Sequence, residues 1–128
     1  MIEPKVRGIL AEDSVVKALV GTRVYVGPLP QNLSYPAINI YLITHNPDNH
    51  LDGPGGLKWE RLQVNAWGAT YEAADGLIKA IATAINGKSF TGTGIGSIVG
   101  QIGGGYQYEE SVKTHRIHMD YGVWYKLT

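Results

Sequence analysis

The residues best suited to chemistry lie in one short run, from Asp48 to Gly53, which reads Asp-Asn-His-Leu-Asp-Gly. Carboxylates, a turn-forming Asn and a Gly at this spacing are typical of the first half of a calcium-binding loop. The pattern then fails, because His50 occupies the third position, where Asp or Asn belongs, and Trp59 the twelfth, where a bidentate Glu belongs. We therefore predict a solvated loop between strands. A small ligand- or metal-binding module that uses Asp48, His50 and Asp52 is kept as an alternative.

Two glycine-containing runs resemble parts of phosphate-binding motifs. Neither lies between a strand and a helix, as those motifs require. The run from Gly87 to Ser89 resembles the end of a P-loop, whose backbone amides and Lys hold phosphates. Ala82 stands where the first Gly of that motif belongs, and the run follows a predicted helix. The glycines between Gly94 and Gly105 do not spell the G-x-G-x-x-G fingerprint of dinucleotide sites. We predict a helix cap and loop for the first run and a bulged strand for the second.

The sequence contains no arrangement typical of an active site. His115 and His118 are three residues apart on a predicted strand, so they point to opposite faces and cannot hold one metal ion together. No Ser lies in a nucleophile elbow, and no carboxylate has a partner spaced for acid–base catalysis. We predict that the protein is not an enzyme and uses no cofactor and no metal.

The amino-acid composition and charge exclude further kinds of site and partner. The chain has 128 residues, with 11 Lys and Arg against 11 Asp and Glu, and no Cys. The absence of Cys excludes thiolate zinc sites, iron–sulfur clusters, thiol nucleophiles and disulfides. The charge balance argues against capture of nucleic acid or an anionic membrane by bulk electrostatics. There is no signal-peptide pattern and no apolar run near the roughly 20 residues that span a bilayer, so we expect one soluble domain over residues 1–128, made in the cytoplasm.

Hydrophobic periodicity predicts an α+β fold, a mainly antiparallel β-sheet with two helical segments packed on one face. The first twenty residues indicate one kinked helix or two short ones, and the cleanest helical pattern runs from Tyr71 to Asn86. Strands are predicted at Thr22–Val26, Ala37–Thr44, Lys58–Gly68, Ile95–Tyr108 and Lys113–Leu127.

The order of these motifs resembles the small tail-completion proteins of long-tailed bacteriophages. In the first half, Asp13-Ser14 leads to Ala18-Leu19-Val20-Gly21, then Arg23-Val24-Tyr25, a Pro-rich link and Tyr35-Pro36-Ala37-Ile38-Asn39-Ile40. In the second half, the strand from Arg61 to Trp67 runs into Tyr71-Glu72-Ala73-Ala74, the Leu77–Ile85 helix and the strand His115–Tyr121. Together these motifs cover most of the chain, from Leu10 to Tyr125.

This resemblance implies a tail terminator, which is a ring, commonly of six subunits, that caps the finished tail tube and presents a surface for joining to the head. The implied partners are further copies of the chain, the tail tube protein and a head–neck connector protein. No membrane and no sequence-specific nucleic acid are implied, although DNA would pass through the ring. The implied location is the neck end of the virion tail, and the host cytoplasm during assembly. A stopper or adaptor from the same neck is an alternative.

A ring needs two unlike surfaces on one subunit. We place one of them on the polar and aromatic face of the predicted Lys58–Gly68 strand, opposite Leu62, Val64 and Ala66. Further contacts are expected from the loops between His45 and Gly56 and between Lys88 and Gly105. The candidate interface residues are Trp59, Arg61, Gln63, Asn65, Trp67, Asp48, His50, Asp52 and Lys88.

Overall fold

The computed structural model describes residues 2–43, 51–52, 58–91 and 94–127. Its helices are α1 (Glu3–Glu12), α2 (Ser14–Val20) and α3 (Tyr71–Ile85). Its strands are β1 (Val24–Val26), β2 (Ala37–Leu42), β3 (Leu51–Asp52), β4 (Lys58–Gly68), β5 (Ser89–Phe90), β6 (Gly94–Glu109) and β7 (Thr114–Leu127). None of the described helices has both the length and the apolar content needed to cross a membrane.

Side-chain caps set where α2 and α3 begin. The Asp13 carboxylate accepts hydrogen bonds from the backbone N–H groups of Val15 at 3.1 Å and Val16 at 3.0 Å. Because Asp13 itself is extended, it ends α1 and starts α2, so the N-terminal segment is two short helices. In the same way, the Thr70 hydroxyl accepts from the N–H of Ala73 at 3.1 Å and begins α3.

The described strands form one sheet in the order β1-β2-β4-β7-β6-β5, with β3 paired to the beginning of β4. Only β1 and β2 run parallel among these pairs. The predicted α+β class, with a mainly antiparallel sheet, is therefore confirmed. At the centre, β4 pairs with β7 along its whole length, from Lys58 opposite Tyr125 to Gly68 opposite His115.

The hydrophobic core lies between the helices and one face of the sheet. On β4, the buried side chains of Leu62, Val64 and Ala66 face the helices, as the alternation predicted. The buried core residues of the helices are Val6, Leu10, Val16, Val20, Ala74, Leu77, Ile78, Ile81 and Ile85.

Two tyrosines of β7 are buried in the core in different ways. Burial raises the pKa of Tyr121 from its ordinary 10.0 to about 12. The Tyr121 hydroxyl has no hydrogen-bond partner among the described residues. Burial also raises the pKa of Tyr125, and here a hydrogen bond to the buried Glu60 carboxylate and its negative charge add to the effect. The buried Tyr121 hydroxyl therefore lowers the stability of the fold. For Tyr125, the hydrogen bond to Glu60 offsets the free energy lost by burying the hydroxyl.

We predict opposite effects for removing these two hydroxyls. Tyr121→Phe should leave the free energy of unfolding unchanged or raise it by up to about 1 kcal/mol at pH 7, because an unsatisfied polar group is removed. Tyr125→Phe should lower it by about 1–2 kcal/mol, because Glu60 loses a donor. Urea unfolding followed by circular dichroism measures both values.

The raised tyrosine pKa values determine whether the free energy of unfolding rises or falls with pH. A tyrosine with a raised pKa contributes stability that is complete below its ordinary pKa and is lost as the pH rises through its folded pKa. The wild type should therefore lose stability from pH 10 toward pH 12, and Tyr121→Phe should lose less over the same range. An equal alkaline loss in both proteins would contradict this account of Tyr121.

Candidate interface on the open face of the sheet

The face of the sheet opposite the helices, here called the open face, carries the predicted interface residues of β4. Alternation places Trp59, Arg61, Gln63, Asn65 and Trp67 in one row on this face. The strand register adds side chains from the neighbouring strands beside this row. These neighbours are Asn39 and Tyr41 on β2 and Arg116, His118, Asp120 and Trp124 on β7.

An ion pair joins β4 to β7 across the open face. The Arg61 guanidinium donates to Oδ2 of Asp120 from Nε at 2.9 Å and from Nη2 at 2.6 Å. The Asp120 side chain is 9% exposed and that of Arg61 is 36% exposed. Hydrogen bonds between ionised groups in such a partly buried setting are stronger than those of exposed pairs. This pair therefore fixes the Arg61 side chain instead of leaving it mobile in solvent.

Glycines on neighbouring strands allow these side chains to lie flat on the sheet. A Cβ atom added to Gly103 would lie 3.0 Å from Arg61 Nη2, and one added to Gly122 would lie 3.0 Å from the ring of Trp59. A side chain at either glycine would push its neighbour away from the sheet. At these two positions, the planar groups of Arg61 and Trp59 therefore pack directly against the backbone of the sheet.

Asn65 lies beneath its neighbours and is fully buried. Its Oδ1 accepts from Arg116 Nη1 at 3.2 Å, and the Arg116 guanidinium lies over the Trp67 ring with 5.6 Å to the ring centroid. Trp67 Nε1 donates to Asn39 Oδ1 at 2.8 Å. Asn65 therefore positions Arg116, and the surface that a partner could touch at this end is formed by Arg116 and Trp67.

A groove of about 520 Å³ adjoins the Trp67 end of the open face. It lies between the loop that joins β1 to β2 and the turn that joins β6 to β7. The lining is mainly apolar and aromatic, and includes Pro28, Leu29, Pro30, Tyr35, Tyr41, Trp67 and Val112.

The remaining predicted residues are not part of this row. Asp48 and His50 lie outside the described residues, and Asp52 is described only through its backbone pairing with Lys58. Lys88 follows α3 and borders a cavity of about 420 Å³ with Asp13 at the junction of α1 and α2. The structure therefore places Lys88 beside the helices, away from the open face.

The sequence analysis missed the contributions of Asn39, Arg116 and Asp120 to this face. Their polar character was visible, because Arg116 and Asp120 alternate with the apolar residues of the last predicted strand. The sequence alone did not reveal that β7 and β2 both pair with β4. This pairing brings these side chains beside Arg61, Asn65 and Trp67.

Among the described residues, no three His, Asp or Glu side chains lie close enough together to hold a metal ion. His115 and His118 lie on opposite faces of β7, since His115 contacts Tyr106 and Tyr108 whereas His118 lies against Gly105.

Comparison with known proteins assigns the chain to a family. The family model described as "Tail completion protein gp17" matches residues 4–126. The chain belongs to this family. Membership confirms the resemblance that the order of motifs indicated, and it gives the chain a structural role in a phage tail and a place in the virion.

A solved structure shows the same fold as this tail completion protein. A chain of the structure titled "Virion of native gene transfer agent (GTA) particle" matches with a TM-score of 0.70 and 21% sequence identity, over 94% of this chain and 90% of that chain. No curated protein matches the chain.

We predict a measurable coupling between Arg61 and Asp120 in this tail completion protein. A double-mutant cycle with Arg61→Ala and Asp120→Ala should give a coupling energy of about 1–2 kcal/mol from urea unfolding. The exposed Lys79–Asp75 pair on α3, with 2.8 Å between Nζ and Oδ2, is the matched control and should couple much less. Equal coupling in the two pairs would mean that the open-face pair does not hold Arg61 in place.

Proposed function

We propose that the chain is a tail terminator, which forms a ring, commonly of six subunits, on the end of the completed tail tube and presents a surface for joining to the head. Membership of the tail completion family is the observation that carries this proposal. On this proposal the protein acts at the neck end of the tail and is present in the host cytoplasm during assembly. Its role is structural and uses no cofactor and no metal.

The open face is suited to contact with the next subunit or with the tube. Its charges are already compensated within the chain, by the Arg61–Asp120 pair and by Arg116 Nε at 3.4 Å from Glu109 Oε1. Burying compensated charges at an interface costs less free energy than burying a lone charge. The flat Trp59 and Trp67 rings add apolar area of the kind that is enriched at interfaces.

The helix layer offers a second, unlike surface, which a closed ring requires. On α2, Val16 and Val20 are buried, whereas Val15 is 58% exposed and Leu19 is 41% exposed. These two apolar side chains lie on the opposite side of the sheet from the open face. In the proposed ring, one subunit contributes its open face or the adjoining groove and its neighbour contributes the exposed side of α2 with Val15 and Leu19.

The proposed partners are further copies of the chain, the tail tube protein and a head–neck connector protein, with DNA passing through the ring without sequence-specific contacts. Native mass spectrometry over a concentration series, followed by electron microscopy of the protein added to tail tubes, tests this proposal. Rings seated on tube ends support it. Decoration along the tube sides, or a position on the head side of an already capped tail, would contradict it.

We predict that a charge introduced on the open face blocks assembly without unfolding the protein. Gln63→Glu adds one carboxylate to the middle of the row, where an uncompensated charge must be desolvated on contact. It should reduce the number of head-joined particles at least about tenfold in a complementation assay.

The matched control for this prediction is Ala73→Glu, which adds the same charge to the exposed first turn of α3. A carboxylate three residues after the Thr70 cap favours the helix, so folding and particle yield should be unchanged. Equal particle yields from Gln63→Glu and wild type would remove the open face from the assembly contact.

A further inference from the structure

The outer edge of β6 lacks a described partner strand over much of its length. Residues Gly103–Glu109 pair in regular register with Asp120–Thr114 of β7 on one side. On the other side β5 pairs only with Gly96 and Ser97, and no other described strand adjoins β6. Residues 104–108 are exposed. We call the outer side of Gly103–Glu109 the free edge.

The opposite edge of the sheet is protected and the free edge is not. At the opposite edge, β1 has only three residues, and Arg7 Nε donates to the outer-edge carbonyl of Val24 at 2.8 Å. Short length and a charged side chain on the edge are two ways in which proteins prevent unwanted strand pairing. The run from Gly103 to Tyr108 contains no Pro and no charged residue. An edge of this kind is a template for another strand.

The sequence of the free edge is complementary to itself in size. It reads Gly-Gly-Gly-Tyr-Gln-Tyr-Glu, with three glycines before Tyr106 and three larger residues after it. If two copies run antiparallel with Tyr106 opposite Tyr106, each larger residue meets a glycine of the other copy. The pairs are then Gln107 with Gly105, Tyr108 with Gly104 and Glu109 with Gly103.

We propose that a second copy of this chain pairs with the free edge, β6 to β6 in antiparallel register centred on Tyr106, and forms a two-fold symmetric dimer with one continuous sheet. Such a contact is isologous, so each pairing occurs twice. The proposal uses the sheet edge and does not depend on the tail-terminator ring.

The aromatic side chains at this edge are held ready for contact. Tyr106 is 50% exposed and Tyr108 is 40% exposed. The Tyr106 hydroxyl lies 2.7 Å from His115 Nδ1, and its ring packs edge-on against Tyr71 with 5.3 Å between centroids. These contacts fix the ring before association, so pairing orders little that is not already ordered. Aromatic pairs and aromatic-on-glycine pairs across strands both stabilise antiparallel sheets.

Charges at the ends of the paired segment are also compatible. Glu109 of the second copy comes opposite Gly103, beside the Arg61–Asp120 ion pair, whose Nη2 and Oδ2 atoms lie 3.0 Å and 3.6 Å from the position of an added Cβ. Each Glu109 Oε1 remains 3.4 Å from Arg116 Nε of its own chain, and no like charges lie directly opposite each other within the segment.

Disulfide trapping tests the register directly, because the chain has no Cys of its own. With Tyr106→Cys, the two new Cβ atoms should lie about 4.5–5.5 Å apart, so an approach of about 1 Å brings them within the roughly 3.5–4.5 Å that a disulfide spans. Tyr108→Cys is the matched control, because each Cys would face Gly104 and lie about 13 Å from its copy. We expect Tyr106→Cys to form a disulfide dimer at least about tenfold faster under mild oxidation. Equal rates would overturn the proposal.

Charge substitution at the axis gives a second test that does not depend on oxidation. Tyr106→Lys and Tyr106→Glu should each weaken the dimer at least about tenfold in sedimentation experiments, because like charges face each other. An equimolar mixture of the two should restore dimers, because Lys then faces Glu. Restoration can arise only from a contact in which position 106 meets itself, so its failure, with both variants folded, overturns the proposal. A ring contact between unlike surfaces would not respond to this mixture.

Discussion

The pairing of β4 with β7 is the constraint on which the rest of the structure depends. The eleven residues of β4 are hydrogen-bonded to β7 from end to end. Because side chains alternate, a shift of one residue would move Leu62, Val64 and Ala66 out of the core and bring Arg61 into it. The same register places Arg61 near Asp120 and Asn65 opposite His118. The apolar core and the polar open face are two results of one set of backbone pairings.

Much of the fold could be predicted from the sequence because its signals are local. The period of α3, its Thr70 cap and the alternation of β4 each lie within a single element, and the structure has β4 with the predicted bounds and α3 ending one residue before the predicted end. The N-terminal segment was predicted as one helix or two, and the Asp13 cap makes it two. The α+β class followed from these elements.

The candidate site was harder to predict because its properties arise between elements. Asn65 is polar and alternates with the core residues, yet it is fully buried because Arg116 of another strand covers it. Glu60 has the phase of a core position, and its burial is compensated by Tyr125, which is 65 residues later in the sequence. Lys88 lies beside the helices because the chain turns back after α3. None of these outcomes can be derived from the periodicity of one segment.

The flat packing of the open face has a consequence for spectroscopy. Trp59, Trp67 and Trp124 are the only tryptophans of the chain, and the strand register places all of them on the open face, with Trp59 directly opposite Trp124. No tryptophan lies in the core between the sheet and the helices. Tryptophan fluorescence therefore comes from the surface proposed for assembly, and its emission wavelength distinguishes a subunit in solvent from one whose open face is covered.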